Sequence, residues 1–390
     1  MRVSADSADR QPVVIAARRT AIGRAGGVFK DVRAHELLAP VLHQVLADAG
    51  LTADQLSDVI MGNAVGGGGN VARLAALTAG LPVQLPGLTV DRQCGSGLEA
   101  IVLASRLVAA GAGDAYLAGG VESISTAPAR AHRMPDGGLD FYERAQFAPE
   151  WLGDPDVGTA AENVANRYGI SRERQDEFAL RSHRLALAAQ TAGAFDDELL
   201  DTADLLPLAA DQGPRRLTPG LLARFPAAFV PNGTVTAGNS CPYSDGACAV
   251  VVTSRAKARE LGADEGLVFV DSAVSGTEPA YLGVGAAAST IELLHRTGLG
   301  LDSVGLIEFN EAFAAQVLAV LDLLGIGPEK INAQGGALAL GHPYGASGAV
   351  LVTRLFAQAR TSQIEGQTAL AMVSIAGGMG ISTLFRWERL

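Results

Sequence analysis

The sequence predicts an α/β protein made of two similar halves, each a mixed sheet covered by helices, with an irregular segment inserted into the first half. Three observations predict it. "YLAGGVESIS" (Tyr116 to Ser125) and "VSIAGGMGIS" (Val373 to Ser382) both read as a short apolar strand running into Ala-Gly-Gly. The elements around them recur in the same order. In the second copy the chain goes directly into a final strand, "ISTLFRWE", whereas the first copy meets its equivalent, "ACAVVVTSR", only from Ala247.

Taken in order, "PVVIAARRTAIG" reads as a buried strand leaving into a loop. "AHELLAPVLHQVLADAG" has helical spacing and a Gly stop. "LSDVIMGNAV" is a strand ending in Gly-Asn, "NVARLAALTAGL" a small-residue helix, and "GLTVDRQCGSGLEAIVLASRLVAAGAG" a strand, tight turn and helix. Between Leu98 and Ala110 the only charges are Glu99 and Arg106, so that helix is buried on most sides. "LDSVGLIEFNEAF", "GASGAVLVTRLFAQA" and "TALAMVSIAGGMG" repeat this order. The halves are therefore 1–121 with 246–268, and 269–390. The insertion, 122–245, is irregular, and its clear helix is "SRERQDEFALRSHRLALAAQTAG", opened by a Ser N-cap. Insertions of this kind cover sites. Two unrelated domains would be the plainer reading, but four recurring elements speak against it.

Composition narrows the function. Charged residues are 18% of the chain, against about 25% in ordinary domains. With 47 glycines this indicates buried surface and close backbone approaches. The net charge of −11 and the lack of Lys/Arg clusters disfavour nucleic acid as a partner. Three cysteines, Cys94, Cys241 and Cys248, are too few for a disulfide scaffold and lack zinc spacing, so no metal is expected. The polar start "MRVSADSADRQ" has no apolar signal region, and no apolar run is long enough to span a bilayer, so a cytoplasmic protein without membrane partners is expected.

Cys94 follows a strand and stands at the entry of the buried helix, where a helix N-terminus lowers a thiol's pKa and backbone N–H groups can hold an oxyanion. A structural thiol is the plain alternative. His342, in "GGALALGHPYGASGA", falls at the same stage of the second half: 31 residues separate Asn63 from Cys94, and 32 separate Asn310 from His342. Pseudo-symmetric halves can bring such loops face to face, and a Cys with a convergent His is an activated nucleophile. Asn310 can position a water or donate to an oxyanion, and can cap the following helix with Glu311 in its first turn; both can hold together. "GGGG" at 66–69 lacks the Lys and spacing of a phosphate loop.

Together "VDRQCGSG", "GGVES", "GTAAENVANRYGISRERQDEFALRSH", "GTVTAGNS…SDGA", "NEAFAAQ", "GGALALGHPYGASGA" and "GGMG" resemble the thiolase family over nearly the whole chain. The resemblance implies two βαβαβαββ halves in a layered α/β/α/β/α arrangement with an inserted loop domain that binds CoA and makes oligomer contacts, in a homodimer or homotetramer. It implies that Cys94 is acylated by an acyl-CoA and that His342 takes its proton. His342 and a water on Asn310 form one oxyanion site, and the backbone N–H groups of Cys94 and Ala376 the other. Phe313 is implied near the acyl and pantetheine pocket. Arg215, in "DQGPR", is implied at the nucleotide end of CoA, which is substrate and not a resident cofactor.

Five places depart from the family pattern. Asp91 stands for Asn, Val157 for Met, and Cys241-Pro242 for a Ser-Gly that touches pantetheine. "GVGAAAS", from Gly283, stands for "GIGPVPA". Ser374 aligns with the second catalytic cysteine, the acid/base for the substrate α-carbon. A free thiol titrates near 8.5 and a Ser hydroxyl is several units less acidic, so either direction of carbon–carbon chemistry should slow strongly. Acylation of Cys94 needs only the Cys–His pair and an oxyanion site. Three functions are consistent: a working thiolase, an acyltransferase or slow thioesterase without carbon–carbon chemistry, and a catalytically weak acyl-CoA-binding homologue.

Overall fold

The protein is described by a computed structural model that covers residues 8–200 and 206–390. The first seven residues, on which part of the no-leader expectation rests, lie outside the described residues.

Ten strands form one mixed sheet. In the first half they are β1 (Pro12–Arg19), β2 (Gly23–Arg24), β3 (Asp58–Gly62), β4 (Gly87–Val90), β5 (Ala115–Ser123) and, past a separate hairpin, β8 (Ser244–Ser254). That hairpin is β6 (Arg130–Arg133) with β7 (Leu139–Tyr142). The second half supplies β9 (Glu265–Gly276), β10 (Leu306–Phe309), β11 (Thr368–Ile375) and β12 (Met379–Arg389). The sheet runs β10-β11-β12-β9-β1-β8-β5-β3-β4, with β2 added to β8.

The order is a palindrome of equivalents. β3 pairs parallel with β5 as β10 does with β11, and β5 pairs antiparallel with β8 as β11 does with β12. The duplication read from the repeated Ala-Gly-Gly strands is thus the architecture. One point differs. Sequence spacing gives each half its own sheet, yet Val13 pairs with Val268 and Val14 with Leu267, joining the two antiparallel. The join removes two exposed sheet edges, which are otherwise sites of unwanted pairing.

The longer helices among the described residues are α1 (Ala34–Asp48), α2 (Val71–Thr78), α3 (Ser96–Ala109), α4 (Val157–Tyr168), α5 (Arg172–Thr191), α6 (Arg255–Glu260), α7 (Gly285–Thr297), α8 (Ala314–Leu324) and α9 (Tyr344–Ser362), with single turns at Pro219–Leu222 and Ala337–Leu340. Strand alternation sorts the cores. Cys248, Val250 and Val252 of β8 face an inner core with α3 and α9, while Ala247, Ala249 and Val251 face α1 and α2. In β11, Ala369, Ala371, Val373 and Ile375 face inward, and Leu370 and Met372 face α7 and α8. Layers therefore succeed one another as helix, sheet, helix pair, sheet, helix.

The central helices approach closely. A Cβ on Gly348 of α9 would lie 2.5 Å from the Leu98 nitrogen of α3, and one on Gly97 2.7 Å from the Gly345 carbonyl. Between β5 and β8 the inserted segment carries α5, capped by Ser171 whose Oγ accepts from the Arg174 N–H. It also carries α4, which the single-helix expectation missed. Most of α4's buried residues are small, Gly158, Ala160, Ala161 and Ala165 among them, and give little apolar contrast. Among the described residues no helix is long and apolar enough to cross a membrane.

Candidate active site

Cys94 sits in a tight turn between β4 and α3. Gln93 takes a left-handed φ of +46° that ordinary side chains rarely adopt. The turn is held by the Asp91 carboxylate, which accepts from the Gln93 N–H at 2.8 Å, and by Ser96. Ser96 Oγ accepts from the Arg92 N–H at 2.8 Å and donates to the Gln93 carbonyl at 2.6 Å. The backbone N–H groups of Ala376 and of Cys94 itself lie close enough to the Cys94 sulfur to favour its ionised form. Ala376 opens the turn between β11 and β12, where Gly377 and Gly378 have φ of +84° and +79°. The repeated Ala-Gly-Gly thus brings a donor from the second half to the nucleophile of the first.

The expected lowering of the thiol's pKa does not occur. Burial pushes Cys94 up to about 11, with Glu122 and Asp91 adding to the rise and the two N–H groups opposing it. Desolvation outweighs the helix terminus here.

His342 is 2% exposed. Its Nδ1 lies 2.6 Å from Ser347 Oγ, and Ser347 donates onward to the Pro343 carbonyl at 3.0 Å. A Ser347 hydroxyl that donates to Pro343 accepts from Nδ1–H, the tautomer that leaves Nε2 as an acceptor. Nε2 faces Asn310 Nδ2 at 3.4 Å. Burial lowers His342 to about 3, so the ring is neutral. The Asn310 side chain is therefore committed to the histidine and caps no helix. Phe313 stands at the N-cap of α8 instead, and Gln316 reaches back to its N–H. Glu311 lies before that helix, its carboxylate bound by Ser182, Asn332 and the Leu338 N–H.

Glu122 was not singled out by sequence, yet it clamps the two halves together. It accepts from Asn63 Nδ2 at 2.7 Å, from the N–H groups of Ala64 and Val65, and from that of Gly345 at 3.0 Å. Gly345 is three residues past His342. Burial raises Glu122 to about 7. Ser347, which fixes the histidine tautomer, was also missed; a hydroxyl inside the apolar "GASGA" helix start was its signal.

Residues 240–244 run along the histidine. Cys241 donates its N–H to the Ala312 carbonyl at 2.9 Å, Ser240 bridges to Phe313, Tyr243 bridges to His342, and the His342 N–H donates to Ser244 Oγ at 3.2 Å. Tyr344 lies between, its ring 5.0 Å from that of His342 and 6.4 Å from that of Tyr243. Phe313 is buried edge-on to Phe229 at 5.9 Å. Ser374 lies on the β11 face of Leu370 and Met372. It donates to the Gly283 carbonyl at 2.7 Å and accepts from the Ala286 N–H at 3.1 Å and Gln316 Nε2 at 3.4 Å. Arg215 lies outside this cluster. It is exposed, its N–H donates to His183 Nδ1 at 3.3 Å, and burial and the Arg24 charge lower its pKa.

Comparison with known proteins agrees with this fold. The thiolase N-terminal domain matches residues 12–256 and the thiolase C-terminal domain residues 267–387. Proteins of Staphylococcus aureus and Staphylococcus epidermidis, each provisionally named acetyl-CoA C-acetyltransferase VraB, are 44% identical. The alignments cover 96% and 97% of this chain and 99% of each relative. The crystal structure of the Bacillus anthracis acetyl-CoA acetyltransferase superposes with a TM-score of 0.88 at 34% identity, covering 97% of this chain and 98% of that one. The duplicated sheet, the turn that presents Cys94 and the matches along both halves lead to one assignment: the chain belongs to the thiolase family of acyltransferase enzymes.

Proposed function

We propose that the protein transfers an acyl group from acyl-CoA to Cys94 and uses that thioester to cleave or form a 3-ketoacyl-CoA. The observation that carries this reading is a turn that sets the Cys94 sulfur beside the Ala376 N–H, in one pocket with Tyr344, whose ring lies 5.0 Å from that of the neutral His342. At neutral pH both partners are uncharged, since burial raises the thiol and lowers the imidazole. Proton transfer then accompanies attack: His342 Nε2 takes the thiol proton as the sulfur bonds to the thioester carbon. The carbonyl oxygen takes up charge beside the two N–H groups, and the CoA sulfur leaves with the proton from His342.

Around this centre, Phe313 and Cys241 border the acyl and pantetheine path. Arg215 and Arg24, which have no carboxylate in ion-pairing distance among the described residues, suit a phosphate. CoA is a substrate and no resident cofactor is invoked. The inserted segment 122–245 is proposed as the CoA-binding domain, and 1–121 with 246–268 and 269–390 as the two halves. Leu88, exposed on edge strand β4, favours self-association as a homodimer or homotetramer. A cytoplasmic location is part of the same proposal.

Ser374, at the position of the family's second catalytic cysteine, favours a second reading. Its one proton and both lone pairs are engaged, so it has nothing to offer an α-carbon. Acyl transfer without carbon–carbon chemistry would follow. The weak binding homologue is disfavoured because Cys94, Asn310 and His342 are all present. Intact mass after incubation with acetyl-CoA, beside a 3-ketoacyl-CoA cleavage assay, separates them. An adduct lost in Cys94→Ala is expected, with cleavage. No adduct sinks both enzymatic readings, and an adduct with cleavage only in Ser374→Cys selects the second.

A further inference from the structure

Cleaving a 3-ketoacyl-CoA leaves an electron pair on the α-carbon of the departing acyl-CoA, and a group in the pocket must protonate it. Ser374 is fully engaged. The two oxygens of Glu122 hold four N–H donors. His342 serves Cys94. Tyr344 is a phenol, ordinarily a weaker acid than a thiol, and burial opposes its ionisation as it does that of Cys241. One further thiol remains, that of Cys241. It is partly exposed, and no other side chain among the described residues hydrogen-bonds its sulfur.

Geometry places that thiol in the reaction pocket. The Cys241 N–H is fixed on Ala312, two residues past Asn310, and Tyr243 of the same segment bridges to His342. Pro242 restricts Cys241 to extended backbone. Its sulfur is close enough to Cys94 for that thiol to oppose the ionisation of Cys241.

We infer that Cys241, and not Ser374, is the proton donor to the α-carbon, an inference that rests on the thiolase-type reading above. In the cleavage direction Cys94 bonds to the 3-keto carbon as His342 takes its proton, and the tetrahedral adduct collapses. The bond between the α-carbon and that carbon breaks. The released pair takes the Cys241 proton, giving acyl-CoA, acyl-Cys94 and a Cys241 thiolate. Incoming CoA–SH returns a proton to Cys241, its sulfur displaces Cys94, and Cys94 recovers its proton from His342. Burial keeps the Cys241 thiol protonated at neutral pH, so it enters the cleavage reaction with a proton to give.

Steady-state cleavage of acetoacetyl-CoA by CoA tests it, with acylation of Cys94 by acetyl-CoA followed by intact mass in each variant. Cys241→Ser and Cys241→Ala are expected to lose roughly 10²-fold or more in kcat with KM within a few-fold. The acyl adduct remains detectable, and Cys241→Ser/Ser374→Cys recovers part of the loss. Retained kcat with a raised KM makes Cys241 a binding contact only and overturns the inference. So does wild-type protein that is acylated yet cleaves nothing. Absence of any adduct on wild-type Cys94 is a different failure, that of the thiolase-type reading itself.

Discussion

Cys94 and His342 begin neutral because burial acts on them in opposite senses, raising one acid and lowering the other. The sign can be checked on the nucleophile. A free thiol half-ionises near 8.5, whereas Cys94 is pushed up to about 11, so at pH 8 its thiolate fraction is more than ~10²-fold lower. Iodoacetamide labelling of Cys94, read by peptide mass, is expected to keep accelerating past pH 10 in the native protein and to level off near pH 9 in denaturant. A native profile that plateaus near 8.5 would contradict it. The turns that carry Cys94, His342 and Asn310 were legible in the sequence, because turns at equivalent stages of a duplicated chain announce themselves by spacing. The direction of the pKa shift was not, since a helix N-terminus is visible in sequence and desolvation is not. Glu122 and Ser347 escaped for a related reason. Glu122's work is done by pairing with Gly345, 223 residues away in sequence.

At the scale of elements, α3 and α9 set the distance between the two halves of the site, since Cys94 precedes one and His342 the other. Their approach depends on glycine. Gly348→Val puts a branched side chain where even a Cβ would lie 2.5 Å from the Leu98 nitrogen. Overpacking of this kind costs about 1–3 kcal/mol, and more where backbone must move. A thermal melt is expected to show a midpoint several degrees lower together with slower acylation, because the helices carry both catalytic turns. A melt unchanged from wild type would refute the close crossing. The helices themselves were readable from apolar runs and stop signals. α4 was not, because a face built of Ala and Gly looks like a loop until Phe229 is seen packed against its Gly158.

Across the whole molecule, the inserted segment is fastened by buried charge. Arg19 of β1 bonds Glu198 at 2.6 Å and Asp211 at 2.7 Å, and Arg354 of α9 reaches Glu198 at 3.3 Å and Glu308 of β10 at 3.4 Å. Phe195 lies between the two guanidinium groups, 5.5 and 4.6 Å from them. Removing one member of a buried pair typically costs about 3–5 kcal/mol, so Glu198→Ala is expected to lower the urea midpoint markedly, and a change under 1 kcal/mol would show the network to be idle. None of this was legible beforehand, because Arg and Glu ordinarily read as surface. The inner core has a further consequence, for synthesis. Residues of α3 and the inward rows of β3, β5 and β8 are covered by α9, β11 and β12, which leave the ribosome last. A nascent chain ending before Tyr344 therefore carries a bare apolar face through most of its translation. A fragment of residues 1–340 is expected to be insoluble without a chaperone, and the catalytic centre, which waits for Ala376, is among the last features of the molecule to exist.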